Sequence, residues 1–561
     1  MKRWIHQRSW LAGCAAIVVA ALLVGCGGTS SSSSGNGKAT GSGHSNAVLT
    51  VESSQQNSIT KNFNPYVPSS AATLLGATSL VYEPLLQFNA IKPGQQYNWL
   101  ATGYSWSNGG KSITFTIRPG VKWSNGSPLT AADVAFTYNL IKKYPAANIT
   151  GLTLQSISSS GNQVTLTFPT PQYSNLQNIT SVYIVPEATY GKVGDPGKYV
   201  DANPMGSGPY TVSNFSSQGI TLKANPSYWG GRPAVSTVQF PVYASANAAL
   251  SALQTDQLQW AGNFIPGVEK VFVAGHANHN VWFVPVQTNS LIPNLQKFPT
   301  NQLAVRKAIS LAIDRTAISQ QAHGGIAPPA SNASGLTLPV FQQFLAPSVA
   351  NQTLNPHSDI AGAKQVLQQA GYVMGNDGLF RTKSGQTLKI DITNPSSFSD
   401  YAAGDAMIAR WLRQAGIDAK FVGQSVTAWS GDLASGNFQL SQRWSQTSVA
   451  PYQLYSTWLN SALVTDNAAG NFERLKDPNV DAMLAKLAAA PTTAEQQAAV
   501  APIEEYVAAN LPIIPTTFGV AFDEYNTSQF TGWPSESNPY QSGSPNSPTN
   551  EVVILHLRPT S

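Results

Sequence analysis

The chain has 561 residues, of which 11% are charged, with a net charge of +5 and two cysteines. That length exceeds one small core and implies two or three lobes. The scattered Lys and Arg form no basic stripe, which argues against a nucleic-acid partner. Both cysteines, Cys14 and Cys26, precede the folded part, so the rest of the chain has neither a disulfide nor a cysteine-based metal site.

Lys2, Arg3 and Arg8 open the chain, and Leu11 to Val24 is apolar. About fourteen residues are too few to span a bilayer. The run closes as Leu23-Val24-Gly25-Cys26. A small residue before Cys in that position resembles the bacterial lipobox. By that resemblance residues 1–25 are a lipoprotein signal peptide, and the Cys26 thiol takes a lipid that anchors the protein to the cell membrane on its extracytoplasmic side. Residues 26–46 are Ser/Gly-rich and read as a flexible tether, reaching about 25 Å root-mean-square. Gly35-Asn36-Gly37-Lys38 within it lacks the leading Gly, the Ser/Thr and the preceding strand of a phosphate loop.

Further on, Ile113, Phe115 and Ile117 alternate with Thr114 and Thr116, the period of a half-buried strand. Pro119-Gly120 and Asn125-Gly126 read as turns. Thr130 with Asp133 forms a capping-box pattern ahead of a helix bearing Val134, Tyr138 and Ile141. The order of these residues, Phe115 through Arg118, Gly120-Val121-Lys122-Trp123-Ser124-Asn125-Gly126 and Pro128-Leu129-Thr130-Ala131 to Asp133-Val134, resembles the signature of the family-5 solute-binding proteins, the oligopeptide-binding class of ABC importers. Other blocks agree: Tyr82-Glu83-Pro84-Leu85-Leu86, Asn203-Pro204-Met205-Gly206-Ser207-Gly208-Pro209-Tyr210, Asn225-Pro226-Ser227-Tyr228-Trp229-Gly230-Gly231, the helix around Val305-Arg306-Lys307-Ala308-Ile309, and Leu511-Pro512-Ile513-Ile514-Pro515.

The resemblance runs from about Ala47 to the end. It implies an α/β, two-lobed periplasmic-binding-protein-like fold with three domains. Domain I is discontinuous (47–68, 201–287 and 515–561), domain II is 69–200, and domain III is 288–514. It implies an extracytoplasmic binding protein that captures an extended oligomer, an oligopeptide by family, and passes it to permease and ATPase subunits of an importer. An oligosaccharide-binding member of the same family is the alternative, and an exported hydrolase a more distant one. The protein is expected to be a monomer without cofactor or bound metal.

The residues themselves show little catalytic chemistry. No His-Glu-x-x-His or nucleophile-elbow motif occurs. His276 and His279 have metal-compatible spacing but read as loop residues. Asp477 and Asp481 read as helix-start carboxylates, and Asp523 and Glu524, adjacent on a strand, face opposite ways. No fixed-period repeat suggests a structural surface protein.

Binding is expected to be aromatic. Trp99, Trp106, Trp123, Trp229 and Trp411 read as packing residues. Trp444 follows a strand-like segment where the family places a cleft Trp. Trp260, Trp429, Trp458 and Trp533 fall in loop-like segments near the lobe edges, and Ser53, Gln55, Asn263, Ser445 and Tyr452 complete the expected lining. Peptide binders of the family carry acids after the Trp, the first of which meets the peptide's α-ammonium. Here Thr447 and Ala450 fill those slots. Recognition of a free amino terminus is therefore not expected. The blocks Gln259 to Pro266 and Gly532 to Tyr540 resemble a branch that includes sugar-oligomer binders, for which Asn263 and Gln446 would bond hydroxyls.

Overall fold

The computed structural model describes residues 47–464 and 470–560. The signal segment, Cys26 and the tether lie outside the described residues. Among the described residues no helix is long and apolar enough to cross a membrane.

The signature segment folds as its residue order dictates. Strand Ser112–Ile117 buries Ile113, Phe115 and Ile117 and pairs antiparallel with Ala101–Ser107 and Gln163–Thr167. Gly120 and Gly126 hold φ of +77° and +88°, which a side chain would strain. Helix Ala131–Lys143 then starts on a capping box, in which the Thr130 N–H donates to Asp133 Oδ2 at 2.9 Å. It buries Val134, Tyr138 and Ile141 as its spacing predicts. Strand Ser156–Ser160 completes this four-stranded sheet.

A second sheet has seven strands in the order 279–281, 524–526, 260–261, 48–52, 237–241, 219–224 and 210–216. Val48–Glu52 runs parallel to both of its neighbours, and the other pairs are antiparallel. Segments far apart in sequence therefore build one sheet. A single apolar core runs beneath it and beneath the four-stranded sheet.

A third sheet has five strands in the order 418–424, 389–395, 440–444, 284–293 and 514–521. Lys389–Pro395 is parallel to both neighbours, whereas Val284–Pro293 is antiparallel to both of its own. Two large apolar clusters are associated with this sheet. Helices Leu303–Ala312, Ile360–Gln369 and Ser399–Gln414 contribute to one, and Pro451–Leu459, Pro478–Ala488 and Thr493–Asn510 to the other. The family-like helix expected from Asn301 to Ile318 ends at Ala312, because Asp314 caps a new turn by accepting from the Ala317 N–H at 2.7 Å.

Two segments beside the expected borders pair within the third sheet. Ile514–Ala521 pairs along Val284–Leu291, so residues 515–521, expected in domain I, form an edge strand of the third sheet. Residues 284–287, also expected in domain I, belong to that sheet as well. The chain enters the third sheet through Trp282–Phe283 and leaves it through Phe522–Asp523.

Three of the family-like blocks converge on one carboxylate, Glu83. Its Oε1 accepts from the Tyr228 hydroxyl at 3.0 Å and from Trp229 Nε1 at 2.9 Å, and its Oε2 accepts from Ser207 Oγ at 2.7 Å. Gly206 and Gly208 are small because a Cβ would lie 1.8 Å from the Val81 carbonyl and 2.4 Å from that of Leu80. Their reason is close approach to the backbone of Leu80 and Val81.

Candidate functional site

Phe264 and Phe522 lie beside the seven-stranded sheet, next to Trp260–Ala261 and Glu524–Asn526. Across from them the five-stranded sheet presents Gln287, Asn289 and Gly519, and the N-terminal turn of helix Ser399–Gln414 presents Asp400 and Tyr401. Together with His323, Ile326, Ala327 and Val520 these residues enclose a cavity of about 40 Å³. Strand 284–293 is central, and Thr288, Asn289 and Ser290 are nevertheless buried polar residues on it. Thr288 Oγ1 bonds Thr337 Oγ1 at 2.9 Å and Asn289 bonds within the sheet and the cavity wall, whereas Ser290 Oγ has no partner. Tyr401 donates its hydroxyl to Asn289 Oδ1 at 2.9 Å, and Asn289 Nδ2 donates to Thr517 Oγ1 at 3.0 Å. Gly519 is required beside them, since a Cβ would lie 2.8 Å from Asn289 Oδ1.

An aromatic wall continues from Tyr401. The Trp444 ring lies 5.8 Å from Tyr401, 6.0 Å from Phe398 and 6.1 Å from Trp429. Of these, Trp429 is buried and the other three are half-buried, so they keep ring surface available. The Arg443 guanidinium sits 4.3 Å from the Phe472 ring, 5.3 Å from Trp444 and 5.4 Å from Trp429. Burial lowers its pKa to about 10, which leaves it charged at neutral pH.

The residues expected to line the cleft divide between wall and frame. Thr447 stands near the cavity: its Oγ1 accepts from Gln287 Nε2 at 3.1 Å. Ser445 is framework, with its Oγ accepting from the Thr288 N–H at 3.0 Å. Trp429 donates Nε1 to Ser441 Oγ at 2.9 Å, and Trp458 packs in the apolar cluster below, where its ring fixes Gly335. Tyr452 packs against the same cluster.

Trp260, Trp533 and Asn263 lie in the frame. Trp260 is 0% exposed, and its Nε1 donates to Asp523 Oδ1 at 2.8 Å and to the Gly543 carbonyl at 2.7 Å. Trp533 lies 5.7 Å from it, stacks on Tyr525 and donates Nε1 to the Phe530 carbonyl. Both rings are interior packing of the seven-stranded sheet, and their polar tips are already satisfied. Asn263 is likewise consumed: its Nδ2 donates to Glu52, its N–H to Glu524 Oε2 and its Oδ1 accepts from Gln55 Nε2. Ser53 is buried beside Gly76, and only Gln55 of that pair is exposed.

The other titratable candidates are structural. His279 is buried on a strand rather than in a loop. Its Nδ1 lies 2.9 Å from the Phe272 carbonyl and its Nε2 2.8 Å from Asp256, a carboxylate its sequence neighbours do not reveal. Asp477 caps helix Pro478–Ala488, and Asp481 accepts from the Ser461 N–H. Glu52, Asp523 and Glu524 are buried, and burial pushes all three above the usual carboxylate range, Glu52 to about 7. Among the described residues no group of three or more His, Cys, Asp or Glu is arranged to hold a metal ion.

Gln287, Asn289, His323, Asp400, Tyr401 and Arg443 were not anticipated from sequence. A signal existed for two of them: a run of polar residues inside a strand with apolar flanks marks a wall facing something polar.

Residues 95–465 match the family model of bacterial extracellular solute-binding proteins, family 5 Middle. The nickel-binding periplasmic protein of Escherichia coli is 27% identical over 408 residues, covering 70% of this chain and 74% of that protein. A probable peptide-binding protein of Agrobacterium fabrum is 23% identical, covering 78% and 79%. Among solved structures, the mannohexaose-bound periplasmic oligopeptide-binding protein of Thermotoga maritima superposes with a TM-score of 0.81 at 24% identity, covering 92% of this chain and 99% of that one. The Bacillus subtilis oligopeptide-binding protein AppA, in complex with a nonapeptide, gives 0.75 at 19% identity, with 92% and 99% covered. The chain belongs to the bacterial extracellular solute-binding proteins, family 5, and is a substrate-binding protein of an ABC importer rather than an enzyme.

Proposed function

We propose that the protein is a membrane-tethered lipoprotein that captures an extended oligomer between the five-stranded lobe and the remainder of the molecule, and delivers it to a permease. Closure would turn on the two adjacent crossings, Trp282–Phe283 and Phe522–Asp523. The tether and the lipid on Cys26 keep the loaded protein near its membrane partners. Capture and release by a monomer require no cofactor.

The observation that carries this reading is the wall itself. Phe398, Tyr401 and Trp444 offer half-buried rings beside a small set of polar groups, Gln287, Asn289 and Thr447, which is the usual chemistry of a binding cleft. By family the ligand is an oligopeptide, held through its backbone. A second reading, an oligosaccharide, is favoured by the same rings and by Thr447 and Ala450, neither of which can pair with an α-ammonium.

Native mass spectrometry of the purified full chain tests both readings. A co-purifying mass that fits a peptide series supports the first, and one that fits a hexose series supports the second. A ligand that the protein converts during incubation would revive the hydrolase.

A further inference from the structure

His323 is 3% exposed, lines the cavity, and its buried Nε2 has no hydrogen-bond partner. A buried nitrogen that makes no hydrogen bond is costly, and here it faces a space lined by both polar and apolar side chains. The ring is fixed from two sides. Asp400 Oδ2 lies 3.5 Å from Nδ1, and Tyr401 packs edge-on at 5.8 Å. A carboxylate beside Nδ1 favours the tautomer with the proton on that nitrogen, and this leaves the Nε2 lone pair free. Asp400 is itself 8% exposed and sits in the first turn of helix Ser399–Gln414, where a negative charge is favoured.

We propose that His323 Nε2, oriented by Asp400, is a hydrogen-bond acceptor for one neutral donor group of the ligand, a sugar hydroxyl or a peptide N–H. This rests on the reading of the interlobe space as the ligand site. The cavity, about 40 Å³, admits a substituent or a few waters and not a whole oligomer. It is therefore a side pocket that fixes register, while the bulk of the ligand lies along Tyr401 and Trp444. Phe264 and Phe522 come from the opposite lobe's side of the crossings, so the pocket is complete only when both lobes contribute. The acceptor selects for a donor at one position along the chain of the ligand. An analogue lacking that donor would leave Nε2 buried and unpaired, which is where discrimination arises.

Two measurements on the full chain test this. Histidine-selective 15N NMR, with His323→Gln identifying the signals, is expected to show the proton on Nδ1 and none on Nε2. A proton on Nε2 overturns the proposal. Calorimetry then compares wild type with His323→Phe, which keeps a ring against Tyr401 but has no acceptor. The probes are mannohexaose, hexa-alanine and N-acetylated hexa-alanine. Any probe the wild type binds is expected to bind the variant about tenfold more weakly, and to shift the wild-type Nε2 signal. Equal affinity, or binding of hexa-alanine that acetylation abolishes, overturns the neutral-donor assignment. If the wild type binds none of the three, the peptide and sugar reading of the site fails for these probes. The tautomer result then decides the acceptor by itself.

Discussion

The Trp282 N–H donates to the Asp523 carbonyl at 3.0 Å. That bond ties together the two strands of chain that join the lobes. On one side of it Val281 pairs with Glu524, and on the other Val284 pairs with Ala521. The crossings thus form a short two-stranded ribbon between two sheets, and a rotation there must also exchange the contacts at Ser174 and Gln177, where Gln453 Nε2 donates to the Ser174 carbonyl at 3.0 Å and the Val449 N–H donates to Gln177 Oε1 at 3.1 Å.

Ligand-driven closure should therefore be a rigid-body motion. Small-angle scattering at saturating ligand is expected to give a smaller radius of gyration than the free protein. The same radius at saturation would show a pre-closed molecule.

Trp444→Ala and Trp260→Ala should fail differently. The half-buried Trp444 contributes ring surface, so its loss should weaken ligand binding at least about tenfold with a modest fall in stability. Trp260 fills the interior and satisfies Asp523, so its loss should cost about 3–5 kcal/mol of folding free energy. Paired calorimetry and denaturant curves separate the two. A Trp260→Ala protein of unchanged stability would contradict its placement.

Acetylating a peptide ligand's amino terminus should leave its affinity nearly unchanged, within about a factor of three. No carboxylate occupies position 447 or 450, and Asp400, the carboxylate that lines the cavity, already stands 3.5 Å from His323 Nδ1, so a buried ammonium would lack an unshared acid and cost several kcal/mol. A competition assay between the free and capped peptides measures this directly.

Stability should rise on mild acidification. Burial raises Asp405, Glu473 and Glu504 to about 8, and Glu52 to about 7. Between those values and the ordinary carboxylate range the folded state holds protons that the unfolded chain has released. Stability therefore falls as pH rises through 7 to 8, and the gain is complete below the unfolded values near 4. With only 27 carboxylates in the chain, few depressed groups oppose this trend. Thermal melts at pH 5 and pH 8.5 are expected to place the higher midpoint at pH 5, and the reverse order would refute the assignment.

On the lipoprotein reading proposed above, Cys26→Ala should shift the protein from the membrane fraction to the soluble fraction while ligand affinity stays within about twofold, because Cys26 is not among the residues of the candidate site. Fractionation of cells expressing both forms checks it.

The frame was legible because its signals are local. Alternation at Ile113, Phe115 and Ile117, the cap at Thr130 and the turns at Gly120 and Gly126 each depend on neighbours a few residues away. The wall was only half legible. Trp444 ends strand 440–444 and packs on Tyr401, and Thr447 bonds Gln287, whereas Trp260 and Trp533 look like loop aromatics until the residues that bury them, some 260 positions apart, are brought together. His323 and Asp400 are 77 positions apart, and nothing in either neighbourhood announces the other. The sheet that residues 515–521 join is hidden for a related reason: a strand's sheet is decided by its partner, and Pro515 pairs with Ser290.

The Glu83 knot has a practical corollary for anyone wishing to redirect this protein to a new cargo. Three of the segments that make the chain recognisable meet at Glu83, and none of the side chains that bond it lines the cavity beside His323. Edits at Tyr401, His323 or Trp444 share no side-chain partner with that knot, so their energetic effects should add to changes there rather than compound them. A library that randomises those three positions can leave the Glu83 knot intact.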